Sequence, residues 1–574
     1  MKKGPFCPKN YRPISLLSNL FKLFERVIDA RIRAVVRLIE EQCGFRPFFG
    51  SDTQLLRVSI LLQFCKSHAI GVWMAFIDLE EAFERAWRHG ILYQLWVAGV
   101  RGKCWRMVRH ILSNILAFVR TNFGDTKRFR VEEGVLQGSV LAAILFIIFI
   151  NPLVEALRPF SPFFNDVRMP PQLFADDLLI IGDSKHKRTE LITLSMARTL
   201  RWRSSVKESK SVLLSSEYTG GPPTFICDKV FKEVKSLVHL GMGLDPDGLF
   251  TVSHIRAKIT KFVDRLQILT QSGVKMGGIS PDACVALFEQ NALSIPSYAY
   301  SLCPPHPHRT FLLDDAQTKF ANEFLDLPDD CPGNISRSTL GLLDFRLRIA
   351  RSRLLLVHRV VNNDQDSIST QMLRWPITSS GKSFWDISVD ILHTLGEDYP
   401  LDTLLATPYV QASYALKLAT RIQQQKEWSE RSSLGSVNET FHSRALHNWG
   451  FDLSLFQNNP LDVRNFISLR AGVIPTPKSR CPLGWEVCGL CHRSPPSRPH
   501  ILWQCRILHH ERSLFLSSLP RRIHSLILMS PLDKAERIIL GGGGLISVGE
   551  WQSISGPASS FVSLVVQKIL DHHS

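Results

Sequence analysis

Apolar positions along the first 250 residues switch between helical and strand periods, and the switches mark the elements. Leu20, Leu23, Phe24, Val27, Ile28 and Ile32 recur at three and four and predict a helix. Ser51-Asp52-Thr53 supplies a cap for a second amphipathic helix through Leu55, Leu56, Ile60 and Leu61. Val72 to Ile77 is a continuous apolar run that predicts a buried strand ending in Asp78, and Glu80 to Trp87 reads as helix. Gly134-Val135-Leu136-Gln137-Gly138-Ser139 is a glycine-punctuated turn before an apolar helix from Val140. Gln172 to Ile181 reads as strand, tight turn, strand, with Asp176 and Asp177 at the bend. Glu190 to Trp202 predicts a helix, Lys207 to Leu214 a turn running into a strand, and Val238 to Asp245 one more short strand. From Ser253 the period is helical, with Ile255, Ile259, Phe262, Val263 and Leu266 on one face. Residues 335–475 read as mostly helical, and a last apolar helix follows Gly541–Gly544 near Phe561–Leu570.

Composition narrows the class. At 574 residues the chain has room for three or four domains, and 45% hydrophobic with 21% charged residues is a globular balance. The 68 Lys+Arg against 52 Asp+Glu leave a net charge of +16, which suits a polyanionic partner. Between Arg101 and Arg130 eight basic residues face one acid, Asp125, with Trp105 and Phe118 interleaved; a backbone-tracking face and a solvated helix side are both compatible with this. The basic N-terminus lacks an apolar core behind it, and the run Val140 to Ile150 is too short to span a bilayer, so neither a secretory signal nor a membrane anchor is predicted. Twelve cysteines, scattered except between 481 and 505, suit a cytosolic or nuclear chain with reduced thiols.

Two constellations carry chemistry. Buried carboxylates need a partner or a metal, and Asp78, Asp176 and Asp177 converge if their strands are neighbours. Hard divalent cations take such oxygen ligands together with substrate phosphates, which points to phosphoryl transfer. The second constellation is Cys488, Cys491, His500 and Cys505, spaced C-x2-C-x8-H-x4-C, a donor set that can close a tetrahedral Zn²⁺ site. Cys481 and His492 are rival ligands with a poorer spacing.

The ordered motifs resemble those of the non-LTR (LINE-like, jockey-like) retrotransposon reverse transcriptases. Tyr11-Arg12-Pro13-Ile14-Ser15 and Gly44-Phe45-Arg46-Pro47 resemble the finger motifs, Phe76-Ile77-Asp78-Leu79 the first palm motif, Gly134 to Leu141 the substrate-binding turn, Phe174-Ala175-Asp176-Asp177 the catalytic hairpin, and Lys207–Lys210 with His239-Leu240-Gly241 the last palm elements. The resemblance implies an α+β right-hand polymerase of fingers, palm and thumb, with an antiparallel palm sheet, a helical C-terminal region and a small zinc knuckle. It implies fingers and palm over 1–252, thumb-like helices over 253–335, a helical connector over 336–475, the knuckle over 476–515 and a tail over 516–574. Asp78, Asp176 and Asp177 are implied as Mg²⁺ ligands (two ions, Mn²⁺ an alternative). Lys210 is implied as general acid, Arg12 as a triphosphate contact, Phe83 as the residue excluding a 2′-hydroxyl, and Gln137 and Gly138 as contacts to the incoming nucleotide. Cys488, Cys491, His500 and Cys505 resemble the family's zinc knuckle.

The implied activity is RNA-directed DNA synthesis. The implied partners are an RNA template, a DNA primer or target and dNTPs, in a ribonucleoprotein particle of nucleus and cytoplasm. Motifs begin at the start of the chain, which implies an N-terminally truncated copy. Leu136, Ala142-Ala143 and Glu84 depart from the family's usual Pro, Ser-Pro and Asp, and they motivate an alternative reading as an inactive nucleic-acid-binding remnant. A group II intron or telomerase type is a further alternative, disfavoured by the cysteine spacing.

Overall fold

The computed structural model describes residues 13–431, 460–474, 481–482, 490–491, 500–539 and 546–573, with short breaks at 122–123, 219, 250–251, 276–277, 299, 303–306, 328–330, 332, 396–399 and 472. The chain divides into two compact units. The first takes Met1–Val252 with Val357–Ile387, the second Ser253–Leu356 with Ser388–Ser574.

In the first unit, helices α1 (Asn19–Arg33) and α2 (Ser51–Ser67) precede strand β1 (Trp73–Ile77). Helices α3 (Arg88–Val97), α4 (Gly102–Ser113) and α5 (Val140–Leu157) follow, then strands β2 (Gln172–Phe174) and β3 (Asp177–Gly182), helix α6 (Lys185–Arg201), and strands β4 (Val212–Ser215), β5 (Thr224–Ile226) and β6 (Lys229–Glu233). The six strands form one sheet in the order β5-β6-β4-β1-β3-β2. The five apolar residues of β1 put it in the interior of the sheet, where both faces are covered. Ala75 and Ile77 lie in register with Ile180, Leu178 and Leu213 and bury one face under α1, α3, α5 and α6. Phe76 and Leu179 are paired on the other face, where the Phe76 ring lies 4.9 Å from that of His239.

Residues 357–387 return to this unit through buried polar contacts. Arg57 of α2 is fully buried; it donates to Ser369 Oγ (2.7 Å), to Gln172 Oε1 (2.5 Å) and to the Glu40 carbonyl (3.2 Å). The Ile368 amide donates to Glu40 Oε2 at 2.9 Å. One guanidinium thereby ties this late segment to the first residue of β2.

Several expectations are corrected. The sheet is not wholly antiparallel, because β4 and β6 pair in parallel. Residues 80–87 form turns rather than a helix: Glu81 has φ +47° and the Glu80 amide bonds the Ser205 carbonyl, so a helical ladder cannot start before Arg88. The stretch 238–245 is a hairpin of β7 (Leu237–His239) and β8 (Met242–Asp245), because Leu240 and Gly241 both take positive φ, 45° and 76°. The connector expected over 336–475 is divided, since 357–387 sits with the first unit. The apolar helix that begins at Val140 is long enough to cross a membrane by length and composition, but 72% of its apolar window is buried within the protein. Helix α1 forms as expected, yet Leu20 and Leu23 of its stripe are exposed, and its buried face is Glu25, Ile28 and Ile32.

The second unit is mostly helical among its described residues, with one two-residue strand pair of Val473–Ile474 and Cys481–Pro482. Phe262 of α7 (Val252–Gln271) meets Phe288 and Phe345 edge-on at 6.2 and 5.6 Å, and Phe288 stacks on Phe320 of α8 (Pro307–Phe324) at 5.6 Å. The start of α9 (Phe345–Asn363) is held by Asp314, whose Oδ1 accepts the Phe345 amide and pairs with Arg337. Burial and the nearby Asp344 push the Asp314 carboxyl up to about 7. Further on, α10 (Pro460–Ala471), α11 (His509–Ser517) and α12 (Val548–His573) share a core that includes Phe515 stacked on Phe561 at 4.6 Å.

Candidate active site and cysteine–histidine cluster

Sheet register builds the first site. Ile77 pairs with Leu178, so Asp78, one residue beyond β1, comes beside Asp177 at the start of β3. Phe174 pairs with Asp177, which leaves Ala175 and Asp176 as a two-residue turn. Ala175 takes φ +58°, a conformation that disfavours a Cβ. The buried Gln42 secures this turn: its Oε1 accepts the amides of both Ala175 and Gly44 at 2.9 Å. A Cβ on Gly44 would lie 2.4 Å from the Ala175 nitrogen, so glycine is required there.

The facing wall is the turn 134–139. The buried Arg88 holds it, donating to the carbonyls of Gly134 (2.8 Å), Leu112 (2.7 Å), Val131 (2.6 Å) and Glu133 (2.9 Å). The Val135 amide reaches the Phe83 carbonyl (2.8 Å) and the Gln137 carbonyl accepts from the Ser15 amide (2.7 Å). Gly138, at φ +124°, packs so tightly that a Cβ would sit 2.3 Å from the Ser15 oxygen. The Gln137 side-chain amide donates to Glu84, and buried Glu25 accepts the Ser139 hydroxyl and the Val140 amide, a carboxylate cap on α5. Phe83 is half-buried and stacks on Phe146 at 4.5 Å.

These walls enclose a cleft of about 940 Å³ whose lining includes Phe83, Gln137, Gly138, Asp78, Asp176, Asp177, Lys207 and Lys210. Burial, reinforced by the carboxylates of Asp176 and Asp78 and offset by Lys210, pushes the Asp177 carboxyl up to about 6. Lys210 Nζ lies 3.1 Å from Asp78 Oδ1, and the Lys207 amide donates to the Asp78 carbonyl at 2.8 Å. Three carboxylates that converge on one cleft are a donor set for a hard divalent cation.

The sequence does not single out Gln42 and Arg88, which support the two turns of the cleft. Each acts through contacts between segments distant in the chain, and no local spacing marks them. Arg12 lies outside the described residues, as do Cys488 and His492.

In the second unit Cys491, His500 and Cys505 are buried with their ligand atoms within 4.8 Å of one another, and Cys491 Sγ is 3.3 Å from His500 Nε2. Arg512 fixes the loop by donating to the carbonyls of Leu502 (2.7 Å) and Cys505 (2.8 Å). Burial, aided by Arg512, lowers the pKa of His500 and favours the neutral imidazole that a metal binds. Cys481 sits in a two-residue ladder with Ile474.

The sheet, with its acidic turn facing a glycine turn across a cleft, is that of a mixed α/β domain suited to phosphoryl transfer. Residues 1–244 match the family described as reverse transcriptase (RNA-dependent DNA polymerase). Among similar proteins, the probable RNA-directed DNA polymerase from transposon X-element of Drosophila melanogaster is 27% identical over 279 residues, 44% of this chain and 29% of that one. The RNA-directed DNA polymerase from mobile element jockey of the same fly is 30% identical over 190 residues, 32% of this chain and 20% of that one. A solved structure of apo telomerase from Candida Tropicalis covers 74% of this chain and 61% of its own at 12% identity and a TM-score of 0.32. Residues 1–244 thus match a reverse transcriptase domain, and the chain spans less than a third of the length of these two transposon relatives.

Proposed function

We propose that the chain is an RNA-directed DNA polymerase that extends a DNA primer on an RNA template with dNTPs. The observation that carries this reading is the convergence of Asp78, Asp176 and Asp177 on one cleft with Phe83, Gln137 and Gly138, inside a domain of the reverse transcriptase family. Reverse transcriptases generally use divalent metals. The three carboxylates fit Mg²⁺ or Mn²⁺, which when bound would activate the primer 3′-hydroxyl and neutralise the departing pyrophosphate. Asp78 and Asp176 are the principal ligands in this reading, and Asp177 the third acid. The Gln137–Gly138 turn orients the nucleotide, and Phe83 closes the space beneath its sugar. Lys210, held against Asp78, would give a proton to pyrophosphate, and Arg12 would grip the triphosphate.

In the same reading the first unit supplies fingers and palm, the helices after Ser253 a thumb and connector. Cys491, His500 and Cys505 would hold a structural Zn²⁺, with Cys488 proposed as the fourth ligand. The template would be the element's own RNA, in a ribonucleoprotein particle that moves between cytoplasm and nucleus.

The test is dNTP incorporation on a primed RNA template by the native chain and by Asp176→Ala. Synthesis that disappears in the variant supports the polymerase. Nucleic-acid binding without Asp176-dependent synthesis supports the remnant reading that Leu136 and Ala142-Ala143 motivate.

A further inference from the structure

We infer that α3, α4 and the hairpin between residues 116 and 130 form a second nucleic-acid surface, which takes a single-stranded polynucleotide by stacking its bases on an arginine–tryptophan ladder and neutralising its phosphates. None of these residues lines the carboxylate cleft, so the inference goes beyond the polymerase reading.

The ladder is built from two helices. The Arg101 guanidinium lies over the Trp96 ring at 3.9 Å, Trp96 meets Trp105 edge-on at 5.9 Å, and Arg109 approaches the Trp105 ring at 5.8 Å. Trp105 is anchored from beneath, its Nε1 donating to the Leu92 carbonyl at 2.9 Å, while Val108 and Leu112 bury the other side of α4. Above that anchor the surface is open. Trp96 is 49% and Tyr93 63% exposed, and Arg101, Lys103, Arg106 and Arg109 all face solvent.

The hairpin that leaves α4 continues the chemistry. Leu116 pairs with Arg130 and Ala117 with Phe129, and Phe118, Arg120, Lys127, Arg128 and Arg130 are exposed. Arg120 lies 6.0 Å from the Phe118 ring centre, and Asp125, the one acid between Arg101 and Arg130, is paired with Arg120 at 3.4 Å.

Here planar cations sit beside aromatic rings, Arg101 over the exposed Trp96 at 3.9 Å, Arg109 at 5.8 Å from Trp105 and Arg120 at 6.0 Å from the exposed Phe118, which a merely solvated helix side does not require. That combination fits unstacked bases with phosphates between them. A bilayer surface would instead engage a continuous apolar face rimmed by cations.

Binding of the full chain to labelled single-stranded oligo-U RNA and oligo-dT of about 30 nucleotides tests this, because such lengths span several stacking sites. Inorganic polyphosphate and phosphatidylserine vesicles serve as rival anions. Replacing Arg101, Arg106 and Arg109 by Gln should weaken oligonucleotide binding about tenfold or more and reduce the salt slope by about two, at roughly 0.7 per lost phosphate contact. Trp96→Leu should leave that slope in place and abolish the preference for oligonucleotide over polyphosphate. The RNA and DNA arms tell which strand is the better occupant.

Should the triple variant lose its thermal transition, Arg128→Gln with Arg130→Gln on the exposed hairpin provides the same reading at a few-fold loss. Native-like affinity in these variants, equal affinity for polyphosphate, or tighter binding to vesicles would overturn the inference. Incorporation on a short primed template should be unchanged in the ladder variants. A chain that binds single strands through the ladder yet incorporates no dNTP refutes the polymerase reading and leaves this one standing.

Discussion

The two candidate metal-binding clusters are assembled in opposite ways. Asp78 and the Asp176-Asp177 pair come from distant strands, brought together by the register of β1 against β3, and they stand in an open cleft beside two lysines. Cys491, His500 and Cys505 come from one short stretch and are buried. A cleft that must admit a polyanion has to leave its ligands accessible, and carboxylates tolerate water. Thiolates and a neutral imidazole that close on one ion gain from exclusion of water, so the second cluster is suited to holding structure and the first to turnover.

The sharpest way to break this comparison is to remove one ligand from each cluster. Asp78→Asn should lower dNTP incorporation by about a thousandfold or more, the scale of losing a metal ligand, while the unfolding transition stays near that of the native chain. Cys505→Ser should do the reverse, releasing bound zinc in a chelator assay and destabilising the second unit while the cleft keeps its chemistry. Equal effects of both variants on stability would show that the contrast is false.

A smaller effect separates the sheet from its late-returning segment. Arg57→Ala leaves the Gln172 and Ser369 side chains and the Glu40 carbonyl without a buried donor, and should cost about 3–5 kcal/mol in denaturant unfolding. Truncating the chain before residue 357 should therefore destabilise the first unit as well.

Two buried groups set opposite slopes with pH. Burial lowers the His239 pKa from 6.5 to about 4. The folded chain thus refuses a proton that the unfolded chain accepts, so stability is full above about pH 6.5 and is lost as pH falls toward 4. That loss is about 3 kcal/mol at most. Asp177, raised from 3.8 to about 6, works the other way in the metal-free protein: its contribution favours folding at low pH and is lost as pH rises through about 6. His239→Gln should flatten the acid limb of a stability–pH curve and Asp177→Asn should steepen it. Identical curves would remove both groups from the account. The smallest effect is at the acidic turn, where Ala175→Gly relieves a left-handed Ala and should change stability by about 1 kcal/mol or less.

Much of the cleft was legible because its residues are local in sequence. Asp176-Asp177 inside an apolar run, Asp78 at the end of one, and glycines at 134 and 138 are patterns that need no partner to be noticed. Their supports were not legible. Gln42 bonds a turn more than a hundred residues away, and Arg88 clamps carbonyls at 112, 131, 133 and 134. Helical period overruled turn geometry at Glu80–Trp87, where a single left-handed residue, Glu81, forbids the helix. The hairpin at Leu240-Gly241 was missed for a related reason: a non-glycine residue with positive φ leaves no mark in the hydrophobic pattern.

By itself the sequence determined the period of most helices and strands, the surplus of positive charge, the three aspartates and the cysteine–histidine spacing, since these depend on residue type and short separation. Only the tertiary structure decided that β4 and β6 run parallel, that residues 357–387 belong with the first unit, that part of the apolar stripe of α1 looks outward, and that Arg101, Trp96, Trp105 and Arg109 line up in one row of neighbouring cations and rings. Those outcomes depend on which surfaces meet, and a one-dimensional pattern records which residues can be buried without recording against what.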